Sequence, residues 1–387
     1  MLQSVTVRVP ATSANLGPGF DSLGLTLALT QDVTLALGHQ PETRDGLVRL
    51  VLDAARSAFR LARVEVPELR ASGVQTIPIG RGLGASAAAR AAGIVGANAL
   101  LGGVLSDDQM LTLGAALEGH ADNMAPALFG GLRVVVRDGD GYRHIASPIA
   151  PGLKVVLFIP DFEMPTGESR KLLPATLSKE DAVHNIGRAA LLVAALATGA
   201  WGALDTATQD RLHQPAREKI FPAMPHIFAA AKDAGALCAY LSGSGSTIAA
   251  FAVEHEERIA RAMMQQAIAR GHTGHTEITT PGDAGAPVVV AAWAATARGS
   301  TESTEGVAAG TAARSGSLNK SVSICEICGC RPPPVAVTAG GRCAEGRRPC
   351  RPACAQSAGL CCALVRRWSN PVRPSRPGPS PSPSLTP

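Results

Sequence analysis

Gly80, Gly82 and Gly84 fall at alternate positions in the segment Pro78-Ile79-Gly80-Arg81-Gly82-Leu83-Gly84-Ala85-Ser86-Ala87-Ala88. Glycines spaced this way let a backbone approach an anion closely and turn several N–H groups toward it. The alanine-rich stretch that follows favours a helix, whose N-terminus would add its positive dipole end to the same point. Ser86 offers a hydroxyl, either to cap that helix or to meet a divalent cation. No Lys-Ser or Lys-Thr follows the last glycine, so this is not a Walker A loop. The glycine spacing also differs from the dinucleotide fingerprint, and no βαβ unit starts the chain. Alone, the segment reads as an anion site or as an ordinary serine-capped turn.

The elements around it must hold it in place. Alternating valines make residues 4–10 a strand, residues 11–21 a Ser/Asn/Gly/Pro-rich loop, and residues 23–37 strand-like again. Residues 47–61 have helical spacing, with Leu47, Val51, Ala54, Ala55 and Ala58 on one side. A short strand is expected at 74–79, leading into the glycines. Helices are expected at 86–101, 107–117, 178–197, 221–234 and 254–270. Strands are expected at 132–136, 153–159, in a pair within 239–253, and at 288–292. Without a regular βα repeat, the class expected is α+β, a two-layer architecture.

The chain has 387 residues, 46% of them apolar and only 3% aromatic, which suits close packing through small side chains. Its formal charge of +5 is unevenly placed. Residues 301–387 hold 11 basic and 4 acidic residues, leaving 25 and 27 to residues 1–300, a net of −2. The body therefore carries no basic balance for nucleic acid. No run of about 20 uncharged apolar residues suggests a membrane span, and the N-terminus reads as a strand, not a signal peptide. Cys238 is the single cysteine before residue 300, which fits a reducing compartment and a cytoplasmic location. The other eight cysteines lie at 325–362, in a Pro/Arg/Ser-rich tail that cannot bury a core.

Gly82-Leu83-Gly84-Ala85-Ser86-Ala87-Ala88 resembles the phosphate loop of the GHMP kinases, with Ala85 where many members have a first serine. Three further segments narrow the resemblance to homoserine kinases. Pro10-Ala11-Thr12-Ser13-Ala14-Asn15-Leu16-Gly17-Pro18-Gly19-Phe20-Asp21 is similar to their N-terminal motif. Glu118-Gly119-His120-Ala121-Asp122-Asn123-Met124-Ala125-Pro126 opens a segment similar to their second motif, and Leu241-Ser242-Gly243-Ser244-Gly245-Ser246-Thr247 is similar to the third motif of the wider family. The likeness covers most of residues 4–255.

The resemblance implies an ATP- and Mg²⁺-dependent transfer of phosphate to L-homoserine, a step in threonine synthesis. Homoserine is a zwitterion with a primary hydroxyl, so its site needs a cation, an anion and a polar group to aim the hydroxyl. By the family pattern Arg170 and Arg217 would grip the carboxylate, which two guanidiniums can do with bidentate bonds. Asp21 would pair with the ammonium, Asn15, His120 and Asp122 would line the pocket, and Asn123 would orient the hydroxyl. Ser86 and Glu118 would be the Mg²⁺ ligands. Asn123 and Arg170 are the residues assigned to catalysis, and segment 78–88 to the nucleotide.

The resemblance further implies a ribosomal-protein-S5-like domain at 1–150, a ferredoxin-like domain at 151–296, a tail at 297–387, and homodimers in many members. Homoserine kinases end near residue 300, so the tail is expected to be a disordered, read-through-like extension. A zinc-binding appendage is the alternative for it. Taken singly, each site residue has an ordinary reading as a turn former, surface charge or cap. Two other functions stay open: another GHMP kinase of the mevalonate-pathway type, for which Asp21 would be unnecessary, and a non-catalytic metabolite-binding relative.

Overall fold

The computed structural model describes residues 2–73 and 76–293. The chain divides into two units, residues 1–301 and 302–387, and the expected tail lies outside the described residues. Among the described residues no helix is long and apolar enough to cross a membrane.

The first half of the chain runs β1 (Leu2–Ala14), β2 (Leu23–Leu37), α1 (Gly46–Leu61), β3 (Leu69–Gly73), α2 (Ala85–Leu100), α3 (Asp107–Glu118), α4 (Met124–Phe129), β4 (Leu132–Asp138) and β5 (Gly141–Ser147). Then follow β6 (Lys154–Pro160), α5 (Thr166–Lys171), α6 (Lys179–Thr198), α7 (Leu204–Ala207), α8 (Gln214–Glu218) and α9 (Met224–Asp233). The last elements are β7 (Cys238–Leu241), β8 (Ile248–Ala252), α10 (Glu256–Ala269), β9 (Gly274–Thr279) and β10 (Val288–Trp293). Two antiparallel sheets result. One has the order β10-β1-β2-β4-β5 with β3 added on β2, and the other is β7-β8-β6-β9. The mixture is α+β, as expected, and the last strand returns to pair with β1.

The alternating valines of β1, Val5, Val7 and Val9, are fully buried. All five residues assigned to the inner side of α1 are buried too, and Asp45 caps that helix by accepting from the N–H groups of Leu47 and Val48. The small residues of α2 serve close packing. A methyl group on Gly93 would stand 2.2 Å from the Val51 carbonyl of α1. The second sheet has its own apolar core, in which Phe158, Phe221, Ile227, Ile248 and Ile259 are fully buried.

The structure moves two boundaries. The first strand continues to Ala14, because β1 slips register between Pro10 and Thr12 and resumes pairing with β2. Pro10 has no N–H to give the ladder, and a bulge there absorbs the defect. The strand expected at 74–79 lies earlier, at β3. Val74 and Gln75 are outside the described residues, and Thr76 to Ile79 form no strand. Strands β5 and β9 were not expected, since Gly-Tyr-Arg-His-Ile-Ala-Ser and Gly-His-Thr-Glu-Ile-Thr are largely polar and half exposed.

Candidate active site

Gly80, Gly82 and Gly84 all adopt left-handed backbone angles, at φ of 66°, 74° and 69°. This conformation is costly for other residues. Space is also short: a Cβ on Gly82 would lie 2.1 Å from the Ser242 carbonyl, and one on Gly84 would lie 2.0 Å from Thr12 Oγ1. The loop is thus clamped between the first and third motifs.

Its carbonyls face the protein. Those of Gly80, Arg81 and Leu83 accept from the N–H groups of Met164, Thr247 and Thr12, the Gly82 carbonyl accepts from Ser242 Oγ, and the Gly84 carbonyl accepts from Ala88 N–H. The N–H groups of Gly82 to Ser86 donate no hydrogen bond among the described residues. A row of uncommitted donors at the start of a 16-residue helix is an anion nest.

Pro78, Ile79, Gly80, Gly82, Leu83, Gly84, Ala85 and Ser86 line a cavity of about 520 Å³. Arg81 does not line it. Its guanidinium donates to the carbonyls of Pro160 and Asp161 and pairs with Glu163, so it ties the loop to the end of β6. Ala87 and Ala88 are buried in the body of α2.

Ser86 does not cap α2. The cap position is Gly84, with no side-chain bond, and Ser86 Oγ instead donates to Glu118 Oε1 at the end of α3. Arg90, one turn further along α2, holds the other oxygen of Glu118. A hydroxyl and one carboxylate oxygen therefore sit together at the mouth of the nest. This hard-oxygen pair fits Mg²⁺, which takes one or two protein oxygens and completes its shell with phosphate and water. Arg90 carries a role the sequence reading missed, though its i+4 spacing from Ser86 placed both on one helix face.

The same cavity is lined by charge of both signs, from Asp122, Arg170 and Arg217, while Asp21 is not part of its lining and is joined to it through Arg170. Arg170 of α5 makes a two-pronged ion pair with Asp21, and both are about one-third exposed. Carboxylate oxygens of Asp21 and Asp122 and a nitrogen of His120 lie within 4.8 Å of one another. His120 is hydrogen-bonded to Asp122 through Nδ1. Burial works to lower its pKa, but the hydrogen bond and the charge of Asp122 outweigh this and hold it raised.

Arg217 of α8 is 1% exposed, and its buried Nε has no hydrogen-bond partner among the described residues. Its Nη1 donates to the Gly243 carbonyl at 3.0 Å and to His213 Nδ1 at 2.7 Å. Burial, and then repulsion from Arg170, lower its pKa to about 10, so it stays charged at neutral pH. Arg217 lines the cavity, with the carboxylates of Asp210, Asp21 and Asp122 acting on it, and so brings a buried positive charge to the cavity wall. The ring of Phe20 lies 5.1 Å from the Arg170 guanidinium and 5.8 Å from that of Arg217, so both cations stack on one aromatic ring. No pattern in the sequence pointed to that use of Phe20.

His213 fixes Arg217 as a neutral ring. Its Nε2–H donates to the Gly17 carbonyl, leaving Nδ1 to accept. Burial lowers its pKa to about 4, against an ordinary 6.5. The unfolded chain then binds the extra proton more readily, so stability rises with pH across that window. Thermal unfolding between pH 4 and 6.5 is expected to show the loss of stability toward acid, and His213→Gln should flatten it. An unaltered pH dependence in that variant would remove the assignment.

Asn15 and Asn123 differ in freedom. Asn15 donates to the Gly243 carbonyl and accepts from Asp21 N–H, so it braces the loop that carries Asp21. Asn123 Oδ1 accepts from Thr12, which leaves its amide NH₂ available at the cavity. Asp122 accepts from Asn123 N–H and from His120, while the cap position of α4 is Asn123, with no side-chain cap bond. The first turns of α1, with Leu47 and Leu50, form another wall.

Comparisons with known proteins show what the chain as a whole is similar to. Residues 48–131 match the GHMP kinases N terminal domain, and residues 192–269 match the GHMP kinases C terminal domain. The homoserine kinase of Moorella thermoacetica is 42% identical over 294 residues, 73% of this chain and 99% of that protein. The crystal structure of homoserine kinase from Cytophaga hutchinsonii superposes with a TM-score of 0.68 at 29% identity, covering 75% of this chain and 98% of that one. Lactococcus lactis galactokinase, at 13% identity and a TM-score of 0.57, covers 74% of this chain and 95% of its own, and shares the fold.

Proposed function

The chain belongs to the GHMP kinase family as a homoserine kinase, and from that premise we propose how its residues divide the work. The enzyme phosphorylates L-homoserine with ATP, in threonine biosynthesis. The observation that carries the assignment of parts is the cavity itself, which is lined both by a nest of free N–H groups and by the buried cation of Arg217.

The nest would hold the nucleotide's terminal phosphates. Ser86 and Glu118 would hold Mg²⁺, which when bound neutralises charge on those phosphates, and Arg90 orients Glu118 for that contact. Arg217 and Arg170 take the homoserine carboxylate, and Asp21, backed by the His120–Asp122 pair, takes the ammonium. The amide NH₂ of Asn123 would hydrogen-bond the reacting hydroxyl. An amide cannot accept its proton, so Asn123 positions rather than acts as base. Phosphoryl transfer through a loose transition state needs mainly alignment and charge neutralisation, and fixed groups supply both.

Ser86→Ala and Glu118→Gln are each expected to raise the Mg²⁺ concentration for half-maximal rate by roughly tenfold or more. Magnesium titration at saturating homoserine checks this, and an unshifted midpoint in both variants removes the pair as the metal site. We also place the enzyme in the cytoplasm, on the single body cysteine, and propose a homodimer. Exposed Val183, Ile186 and Leu191 on α6 support self-association, and a monomeric mass by light scattering would exclude it. The acceptor is tested by ADP release with homoserine, mevalonate and shikimate. Turnover of mevalonate in place of homoserine would make this a kinase of the mevalonate type. No turnover with any of the three would favour a binding protein.

A further inference from the structure

The two residues that would meet the opposite charges of the substrate are bonded to each other. Arg170 gives Nη1 to Asp21 Oδ2 at 3.0 Å and Nη2 to Asp21 Oδ1. No other side-chain hydrogen bond is made by the Asp21 carboxylate or the Arg170 guanidinium among the described residues, although the charges of His120 and Arg217 act near Asp21 and those of Asp122 and Glu118 act on Arg170. Asp122 is taken by His120 and by Asn123 N–H, and Arg217 is a second cation beside Arg170. Separating Arg170 from Asp21 therefore breaks, at once, both side-chain hydrogen bonds that join these two charged groups. Removing one partner of a half-buried charge pair is costly, because the other charge stays desolvated and unpaired.

We propose that the Arg170–Asp21 ion pair makes the acceptor site selective for zwitterions, because only a ligand bearing both charges replaces both halves of the pair. A carboxylate alone would satisfy Arg170 and strand Asp21. An amine alone would satisfy Asp21 and strand Arg170. A zwitterion exchanges one ion pair for two. Discrimination thus comes from an internal competitor as well as from the contacts made to the ligand. The proposal rests on reading the cavity as the homoserine site.

It predicts opposite responses to a single substitution. Asp21 sits at a left-handed φ of 55°, a conformation that Asn tolerates, so Asp21→Asn is the conservative change. Arg170→Gln is its mirror image. The test is calorimetric binding of L-homoserine, 4-hydroxybutanoate and 3-aminopropan-1-ol to the full-length wild type and both variants. Homoserine is expected to weaken about tenfold or more in each variant, as it would if the residues were simple ligands. The analogues decide. 4-Hydroxybutanoate, which lacks the ammonium, should bind about tenfold tighter to Asp21→Asn than to wild type, because Arg170 is released. 3-Aminopropan-1-ol, which lacks the carboxylate, should gain similarly in Arg170→Gln. Unchanged or weaker analogue binding in both variants overturns the proposal while leaving the acceptor reading intact, and a gain by one analogue alone overturns the two-sided exchange. Absence of homoserine binding to wild type overturns the acceptor reading and the proposal with it. Should one variant fail to fold by circular dichroism, the other analogue–variant pair decides the outcome alone.

Discussion

Arg217→Met is expected to raise the KM for L-homoserine by roughly 30- to 5,000-fold and to leave the KM for ATP within about threefold. The range corresponds to the loss of about 2–5 kcal/mol when one partner of a buried charge pair is removed. The effect is placed high because Arg217 is a buried, charged group in the cavity wall. A carboxylate there would be held away from water, where charge-assisted bonds are strongest. Stability should stay roughly level, since replacing a desolvated charge with Met is a gain while the carboxylates of Asp210, Asp21 and Asp122 lose a nearby cation. Losing the bonds to His213 and Gly243 works against that gain. Initial-rate kinetics together with a thermal melt test both halves. A homoserine KM within threefold of wild type would take Arg217 out of the acceptor site, and parallel rises in both KM values would mean a general distortion.

Gly82→Ala is expected to cut kcat/KM for ATP by roughly 10²-fold or more, while costing about 1–3 kcal/mol of stability. The reason is geometric. At φ 74° an alanine is strained, and its methyl would stand 2.1 Å from the Ser242 carbonyl and 2.9 Å from that of Gly245. Neither is a flexible side-chain end, so the loop must withdraw. It would then lose the bond from Ser242 Oγ to the Gly82 carbonyl, which keeps that carbonyl turned away from the cavity. The N–H row would no longer converge on one point. Gly102→Ala is the matched control, because it is also left-handed, at φ 85°, but has open space where the methyl would go. It should lose stability through its backbone alone and keep its ATP kinetics. Equal ATP kinetics for Gly82→Ala and wild type would show that the nest is not where the nucleotide phosphates bind.

The contrast between what was legible in the sequence and what was not follows the range of the interactions. Helix α1 was readable because its inner face is a local 3.6-residue pattern, and each residue assigned to that face is buried. The glycine loop was readable as an anion site because backbone freedom is a property of single residues. What the sequence could not show is which partner each glycine makes room for. Thr12, Ser242 and Gly245 come to the loop from more than 60 positions away in either direction. Ser86 looked equally able to cap a helix or to meet a metal. The structure separates these, because Gly84 takes the cap position and Ser86 faces Glu118.

Charge pairing was the hardest to foresee. Arg170 and Asp21 were assigned to opposite ends of a ligand, and their bond to one another spans 149 positions. Phe20 precedes Asp21 in the same motif, yet its use as a shared ring for two guanidiniums depends on α5 and α8 arriving from the second half of the chain. Strands β5 and β9 were missed for a different reason: they are partly exposed and polar, so their pairing comes from the neighbouring strand and not from their own pattern.

The most direct test of the central claim follows the phosphorus atom. Phosphorus NMR of the full-length protein with ATP, Mg²⁺ and L-homoserine should show ADP growing in step with one new phosphomonoester, coupled to the two protons of a neighbouring CH₂ group. That signal should vanish when homoserine is left out. ADP accompanied only by inorganic phosphate, or a spectrum in which ATP persists unchanged, would contradict the account.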